Sequence, residues 1–186
     1  SDVCSSDLWE LDFAANANPI RLQNPLVAQY AVMRSTLIGG LVEILQNNLN
    51  RKQNRVRVFE IARVFGKGSD GLFVQNERIG GLWYGAAMPE QWGEKTRNAD
   101  FYDIKADVEN LLKNKAVEFV KTEHPALHPG RAANIVSDGQ VIGFVGELHP
   151  KWLQKYDLPQ APLVFEIDMA AVLEREKTRY QAVSKF

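Results

Sequence analysis

The sequence holds a single cysteine, Cys4, in 186 residues, so neither an internal disulfide framework nor a multi-cysteine zinc or iron–sulfur site is available to it. One thiol suits a reducing cytosol. Long apolar runs are missing as well: nothing approaches the roughly 18 consecutive apolar residues of a membrane-spanning helix. Neither sign of charge is in excess, with 22 Lys+Arg against 23 Asp+Glu, so any contact with a polyanion must come from a local patch. There is no G-x-S-x-G nucleophile elbow, no G-x-x-x-x-G-K-[ST] phosphate loop and no G-x-G-x-x-G dinucleotide turn. No segment repeats with the period of a solenoid. What is present, 45% hydrophobic and 24% charged residues, makes an ordinary globular domain that needs no staple, since a chain of this length buries about 70% of its unfolded surface.

The opening octet Ser1-Asp2-Val3-Cys4-Ser5-Ser6-Asp7-Leu8 is polar and lacks the basic start and apolar centre of a secretory signal. It reads as an appended leader, which sets Cys4 aside. Ser184-Lys185-Phe186 follows a charged, helix-like run with no closing signal, the pattern of a fragment. The expected organisation is a leader over 1–8, one module over 9–178 and the start of a linker over 179–186.

Leu37, Leu41, Ile44, Leu45 and Leu49 fall on one face of a helix expected over 36–49. Gly39-Gly40 inside it costs about 1 kcal/mol per residue relative to alanine, which calls for the close approach of another backbone or a ligand, most simply packing against a strand. Arg55–Phe65 reads as a strand with Phe59, Ile61 and Phe65 on one face and Val56, Val58, Ala62 and Val64 on the other. Being apolar on both faces, it is expected at the centre of a sheet. Glycines 66, 68 and 71 turn the chain, and Glu77–Ala86 returns antiparallel. Ile104, Val108, Leu111 and Leu112 mark a helix over 102–114. Asp100, Asp103, Asp107 and Glu109 crowd its start, where they either complement the helix dipole or hold a divalent metal. Residues 116–121 form a short strand, and 134–146 a hairpin in which Asp138-Gly139 supplies the positive φ of a type I′ turn. His149-Pro150 opens a short helix, Pro162–Asp168 is a strand and Met169–Glu176 a helix. Short turns between successive strands give an α+β domain built on an antiparallel sheet flanked by helices.

His124, His128 and His149, with Glu123 and Glu147, are the metal-ligand candidates, but Pro125 and Pro129 interrupt any helix that would align the first two histidines. His128 suits a turn residue whose imidazole bonds backbone. One basic patch stands out: Arg51, Lys52, Arg55, Arg57, Arg63 and Lys67 against Glu60. Arg55, Arg57 and Arg63 share a strand face. Such a row serves a solvated edge, a partner protein's carboxylates or RNA phosphates.

The order of segments carries more than any one of them. Asn24-Pro25-Leu26, Met33-Arg34-Ser35-Thr36-Leu37 with Gly40-Leu41, Asn48-Leu49-Asn50-Arg51, Phe59-Glu60-Ile61, Asp100-Phe101-Tyr102-Asp103-Ile104-Lys105, His128-Pro129-Gly130-Arg131-Ala132-Ala133, Ile142–Pro150 and Leu163–Asp168 follow one another in register. From about residue 18 onward this succession resembles the β subunit of bacterial phenylalanine–tRNA ligase, specifically its catalytic-like module. Gly39 stands where the family usually has proline, and Ala62 where it usually has glycine.

The resemblance implies a degenerate class II aminoacyl-tRNA synthetase fold in the cytoplasm, paired with a catalytic α subunit in an α2β2 enzyme. ATP, magnesium, phenylalanine and the tRNA end are then the business of the holoenzyme, and this chain binds no cofactor and acts as a non-catalytic scaffold. The subunit-interface motif, the editing domain and the magnesium-binding module of the family lie upstream of residue 9, and its anticodon-binding domain lies downstream. Catalytic relatives close the first strand with an arginine–acid pair, whereas Gly66-Lys67-Gly68 stands here. Where they admit adenine, Phe165-Glu166-Ile167-Asp168 offers bulk and negative charge, so the nucleotide pocket is expected to be filled or repelling. Two alternatives are an active class II ligase-type adenylating enzyme and an RNA-binding module using the basic 51–67 segment.

Overall fold

The computed structural model describes residues 5–25, 31–68, 70–113 and 115–174. Its helices are α1 (Ser5–Ala14), α2 (Ile38–Asn50), α3 (Phe101–Leu111), α4 (Pro150–Lys155) and α5 (Met169–Leu173). Its strands are β1 (Val56–Lys67), β2 (Phe73–Tyr84), β3 (Glu118–Lys121), β4 (Leu127–Ser137), β5 (Gln140–Leu148) and β6 (Leu163–Asp168). They form one antiparallel six-stranded sheet in the order β1-β2-β6-β5-β4-β3. The expected α+β class and hairpins are present. The proposed boundary at residue 8 falls inside α1; Cys4, residues 175–176 of the expected last helix and the 179–186 linker lie outside the described residues.

Apolar side chains cover both faces of this sheet. Leu37, Ile38, Leu41, Val42 and Leu45, from α2 and the residue before it, pack on Val56, Val64, Leu82 and Val164. On the opposite face Ile104 and Val108 of α3 and Val172 of α5 pack on Ile79, Val145, Phe165 and Ile167. Alternation along β6 therefore sends Val164 and Glu166 to the α2 face and Leu163, Phe165 and Ile167 to the α3 face. Each large apolar side chain so buried contributes roughly 1.5–3 kcal/mol.

The strand expected at the centre lies at the edge. β1 pairs only with β2, and the central place belongs to β6, which is buried along nearly its whole length. Periodicity reports which residues share a face but not how many neighbours a strand has. Phe59 and Ile61 consequently stand exposed on the α3 side of β1. β2 begins at Phe73, four residues earlier than expected, because the hairpin zips to Lys67↔Phe73.

Helix α1 had no periodic signal, since its buried side chains include two acids. Glu10 accepts the Ser35 amide (2.8 Å) and the Ser35 hydroxyl; Asp12 accepts Tyr156 Oη (2.6 Å) and pairs with Lys155 Nζ (2.6 Å). Burial and this carboxylate raise the Tyr156 pKa above its ordinary value. The expected strand is the neighbour of only one of the two glycines: a Cβ on Gly40 would meet Glu60 Oε2 of β1 at 3.7 Å, whereas the tight approach at Gly39 comes from α1, where a Cβ would meet Trp9 Cβ at 2.8 Å.

Asp100 caps α3, accepting the amides of Tyr102 (2.9 Å) and Asp103 (3.2 Å), while Asp103 reaches back to the Asp100 amide (2.9 Å). Arg97 chelates Asp103 (2.6 and 2.7 Å), and that bond leads the causes holding its pKa below the usual carboxylate value. Two of the four acids are thus engaged in starting the helix. Asp138 (φ 51°) and Gly139 (φ 75°) make the expected turn between β4 and β5.

Candidate functional site

Two regions bear on function: the centre of the sheet where β2 meets β6, and the basic stretch that ends α2 and runs along β1. At the centre, Glu166 is 1% exposed. Its Oε2 accepts the Thr36 hydroxyl (2.7 Å) and the Leu37 amide (2.9 Å), and its Oε1 accepts Arg78 Nη1 (2.7 Å). Arg78 also donates Nε to Asp168 (2.9 Å), so one guanidinium answers both carboxylates. Burial, the largest single influence, pulls the Arg78 pKa down, but the charges and hydrogen bonds of Glu166 and then Asp168 together outweigh it and raise the pKa. The cluster ties β2, β6 and the start of α2 together. Negative charge expected to repel a nucleotide is compensated within the fold, which corrects the sequence reading: the strand bearing Arg78 pairs directly with the strand bearing the acids.

On the opposite face, Gly81 pairs with Phe165, and the ring occupies the space above the glycine. A Cβ at Gly81 would stand 2.3 Å from Phe165 Cε1. The bulk expected from Phe165 is therefore in place, buried between α3, α5 and β2. Moving this ring is the condition for a planar base to lie there.

The basic residues separate into two kinds. Arg57 stacks its guanidinium on Trp83, 3.1 Å from the ring centroid, and donates Nη2 to the carbonyls of Ala86 (3.1 Å) and Ala87 (2.7 Å). Arg55 reaches the same two carbonyls, at 3.2 and 3.4 Å. Burial first, then the charge of Arg55, lowers the Arg57 pKa to about 10, and its Nη1 is buried without a hydrogen-bond partner. These two arginines brace the turn after β2. Arg51, Lys52 and Arg63 are exposed. Arg51 and Lys52 sit at the end of α2, and Arg63 lies on the face of Arg57 but six residues, or about 20 Å, along the strand. The structure brings Arg55 and Arg57 together and leaves the other three apart.

An open groove of about 650 Å³ lies across the sheet, between the first turn of α3 and strands β3–β5, lined by Phe101, Tyr102, Phe119, Lys121, Arg131 and Glu147. Arg131 is already paired with Glu147 (2.7 Å). Among the described residues no group of three or more His, Cys, Asp or Glu side chains could hold a metal ion. The histidines serve the backbone instead: His128 lies within β4 rather than in the expected turn, but its Nδ1 does accept a backbone amide, that of Gly130 (3.0 Å), and His149 caps α4 through the Lys151 amide (3.0 Å).

The sequence over residues 4–169 matches the family described as "Phenylalanyl tRNA synthetase beta chain CLM domain". The chain belongs to this family. It is 95% identical over 178 residues to the phenylalanine–tRNA ligase β subunit of Neisseria gonorrhoeae, covering 96% of this chain and 23% of that protein. To the same subunit of Neisseria meningitidis serogroup A it is 92% identical over 181 residues, covering 97% of this chain and 23% of the relative. The Chromobacterium violaceum subunit shares 55% over 178 residues, covering 96% and 22%. The chain spans about a quarter of the length of the curated relatives it matches. No helix among the described residues of this β-chain domain is long and apolar enough to cross a membrane.

Arg78 and Thr36 carry much of the domain's central cluster, yet neither stood out as functional in the sequence. The available signal was Arg78 itself, a lone charge between Glu77 and the apolar run Ile79–Tyr84. His124 was weighed only as a metal ligand. It stacks on Phe144 (4.1 Å between centroids), accepts the Ala126 amide on Nδ1 (3.2 Å), and has its pKa lowered from 6.5 to about 4, chiefly by burial and secondly by Arg78. The folded domain thus resists a proton that the unfolded chain accepts, and stability falls as pH drops from 6.5 towards about 4. Urea unfolding at about pH 7 and pH 5 should show this loss, and His124→Gln should flatten it.

Proposed function

We propose that this chain is a non-catalytic scaffold module of a phenylalanine–tRNA ligase β subunit, a degenerate copy of the class II synthetase fold that supports phenylalanylation of tRNA by an α subunit. The module's start belongs before α1 rather than at residue 9, because Ser5–Ala14 is one helix and the family match begins at residue 4, and its end is placed at 178, before a linker over 179–186. It works in the cytoplasm within an α2β2 assembly whose α subunits bind ATP and magnesium. The observation that carries this reading is the closed centre of the sheet: Phe165 fills the space over Gly81, and Arg78 is committed to Glu166 and Asp168. Triphosphate transfer chemistry needs uncommitted cations aimed at the developing charge. The residues here do not suit a nucleotide, since neutralising one would strip a buried carboxylate of its partner.

Arg51, Lys52 and Arg63 are the cations left for a partner or for tRNA, with Arg55 and Arg57 held to the Ala86 and Ala87 carbonyls. The test is thermal unfolding with and without magnesium–ATP. A nucleotide at a hundredfold excess over its Kd would stabilise the fold by about 2.7 kcal/mol. No shift is expected for the β subunit alone, and a saturable upward shift would contradict the scaffold reading.

A further inference from the structure

On the α3 side of the sheet, two rows of side chains run from the buried centre to the free edge of β1. One is Phe165, Gly81, Phe59; the other is Ile167, Ile79, Ile61. Exposure climbs along both, from 5% at Phe165 to 71% at Phe59, and from 0% at Ile167 through 7% at Ile79 to 47% at Ile61. The core reaches the edge and is left uncovered there.

The backbone of that edge is open over the same residues. The Phe65 amide donates to the Arg34 carbonyl (2.8 Å), and the Arg63 carbonyl accepts Arg34 Nε (3.3 Å), so odd-numbered residues of β1 turn their polar groups away from β2. Arg34 closes the edge at 63–65. Among the described residues, Arg57, Phe59 and Ile61 have no backbone partner on that side. An edge of this kind receives another strand unless it is blocked.

Charge narrows what that strand is. Arg55, Arg57, Arg63 and Lys67 line the edge, and the one acid within it, Glu60, is paired with Arg34 (2.8 Å). A second copy of the chain fits badly: antiparallel self-pairing centred on Phe59 sets Arg55 opposite Arg63 twice over, and like charges in opposed positions are destabilising. Residues 175–186 fit no better by composition, with four basic residues and one acid. Exposed aromatic residues flanked by arginine are the make-up of subunit interfaces.

We propose that the free edge of β1 at Arg57–Ile61 is the docking strand for the α subunit, which lays an extended segment against it as a seventh strand. The segment has apolar side chains at two alternate positions, meeting Phe59 and Ile61, and a carboxylate at the next alternate position, meeting the exposed Arg63; Arg57 stays with Trp83 and the Ala86 and Ala87 carbonyls. This rests on the scaffold reading, which supplies the α partner, and adds where and by what chemistry that partner binds.

The experiment uses full-length β subunit co-expressed with α, with a photoreactive benzoylphenylalanine in place of the exposed Phe59. Irradiation is expected to give an α–β adduct whose α peptide shows the acid and apolar alternation. In parallel, Ile61→Asp and Arg63→Glu, both at exposed positions, should each weaken α binding roughly tenfold or more, and Arg63→Lys should retain it. An adduct confined to β, a β–β adduct, or no adduct while α and β co-purify overturns the docking strand and leaves the scaffold reading standing. Failure of unsubstituted β to co-purify with α overturns both.

Discussion

Replacing Arg78 with methionine is expected to destabilise the domain by about 3–5 kcal/mol, because it leaves the buried Glu166 carboxylate without its counter-ion. Glu166 keeps the Thr36 hydroxyl and the Leu37 amide, which bind it as dipoles but bring no charge. At 29% side-chain exposure Arg78 is screened only partly by water, so little of the loss is recovered by solvation. For a chain of this length each kcal/mol moves Tm by about 2–4 °C, placing the expected fall at roughly 6–20 °C. Glu166→Gln should cost less than Arg78→Met: it keeps the shape and an acceptor for the Leu37 amide, and Arg78 retains Asp168. Thermal unfolding of the two variants checks the order as well as the size. Equal and small effects would mean that the cluster is not what joins α2 to the sheet.

Phe165→Ala is expected to cost a similar 3–5 kcal/mol, the usual range for truncating a buried aromatic residue. The distinctive expectation concerns Gly81. Gly81→Val alone should destabilise, since its Cβ meets Phe165 Cε1 at 2.3 Å, whereas Gly81→Val combined with Phe165→Ala removes that clash and refills part of the hole. The double variant should therefore be more stable than the two single costs predict when added, by an interaction energy on the order of 1–3 kcal/mol. Additive costs would show that the ring and the glycine do not share one space.

The legible parts of the fold were those with local physical signatures. α2 and α3 followed from apolar spacing, the β4–β5 turn from Asp138-Gly139, and the start of α4 from His149-Pro150. What escaped depends on distant residues. The position of β1 at the edge is decided by which strands come to β6, and β6 lies about a hundred residues further on in the chain. α1 was hidden because Glu10 and Asp12 are buried by partners at Ser35 and at Lys155 and Tyr156, so its inward face does not look apolar. At the site, the bulk of Phe165 was legible and the fate of the charge was not. Glu166 reads as a repelling group until Arg78, 88 residues away in sequence, is seen 2.7 Å from it. The basic patch was legible as composition, but the commitment of Arg55 and Arg57 to two carbonyls after β2 is a tertiary fact.

The scaffold account stands or falls on whether the centre of this sheet takes a nucleotide. Equilibrium dialysis of the full-length β subunit, purified free of α, against labelled magnesium–ATP reads that directly. Retention no greater than that of an unrelated protein is the predicted result. Stoichiometric, saturable retention that Phe165→Trp abolishes would place a working nucleotide pocket over Gly81 and contradict it.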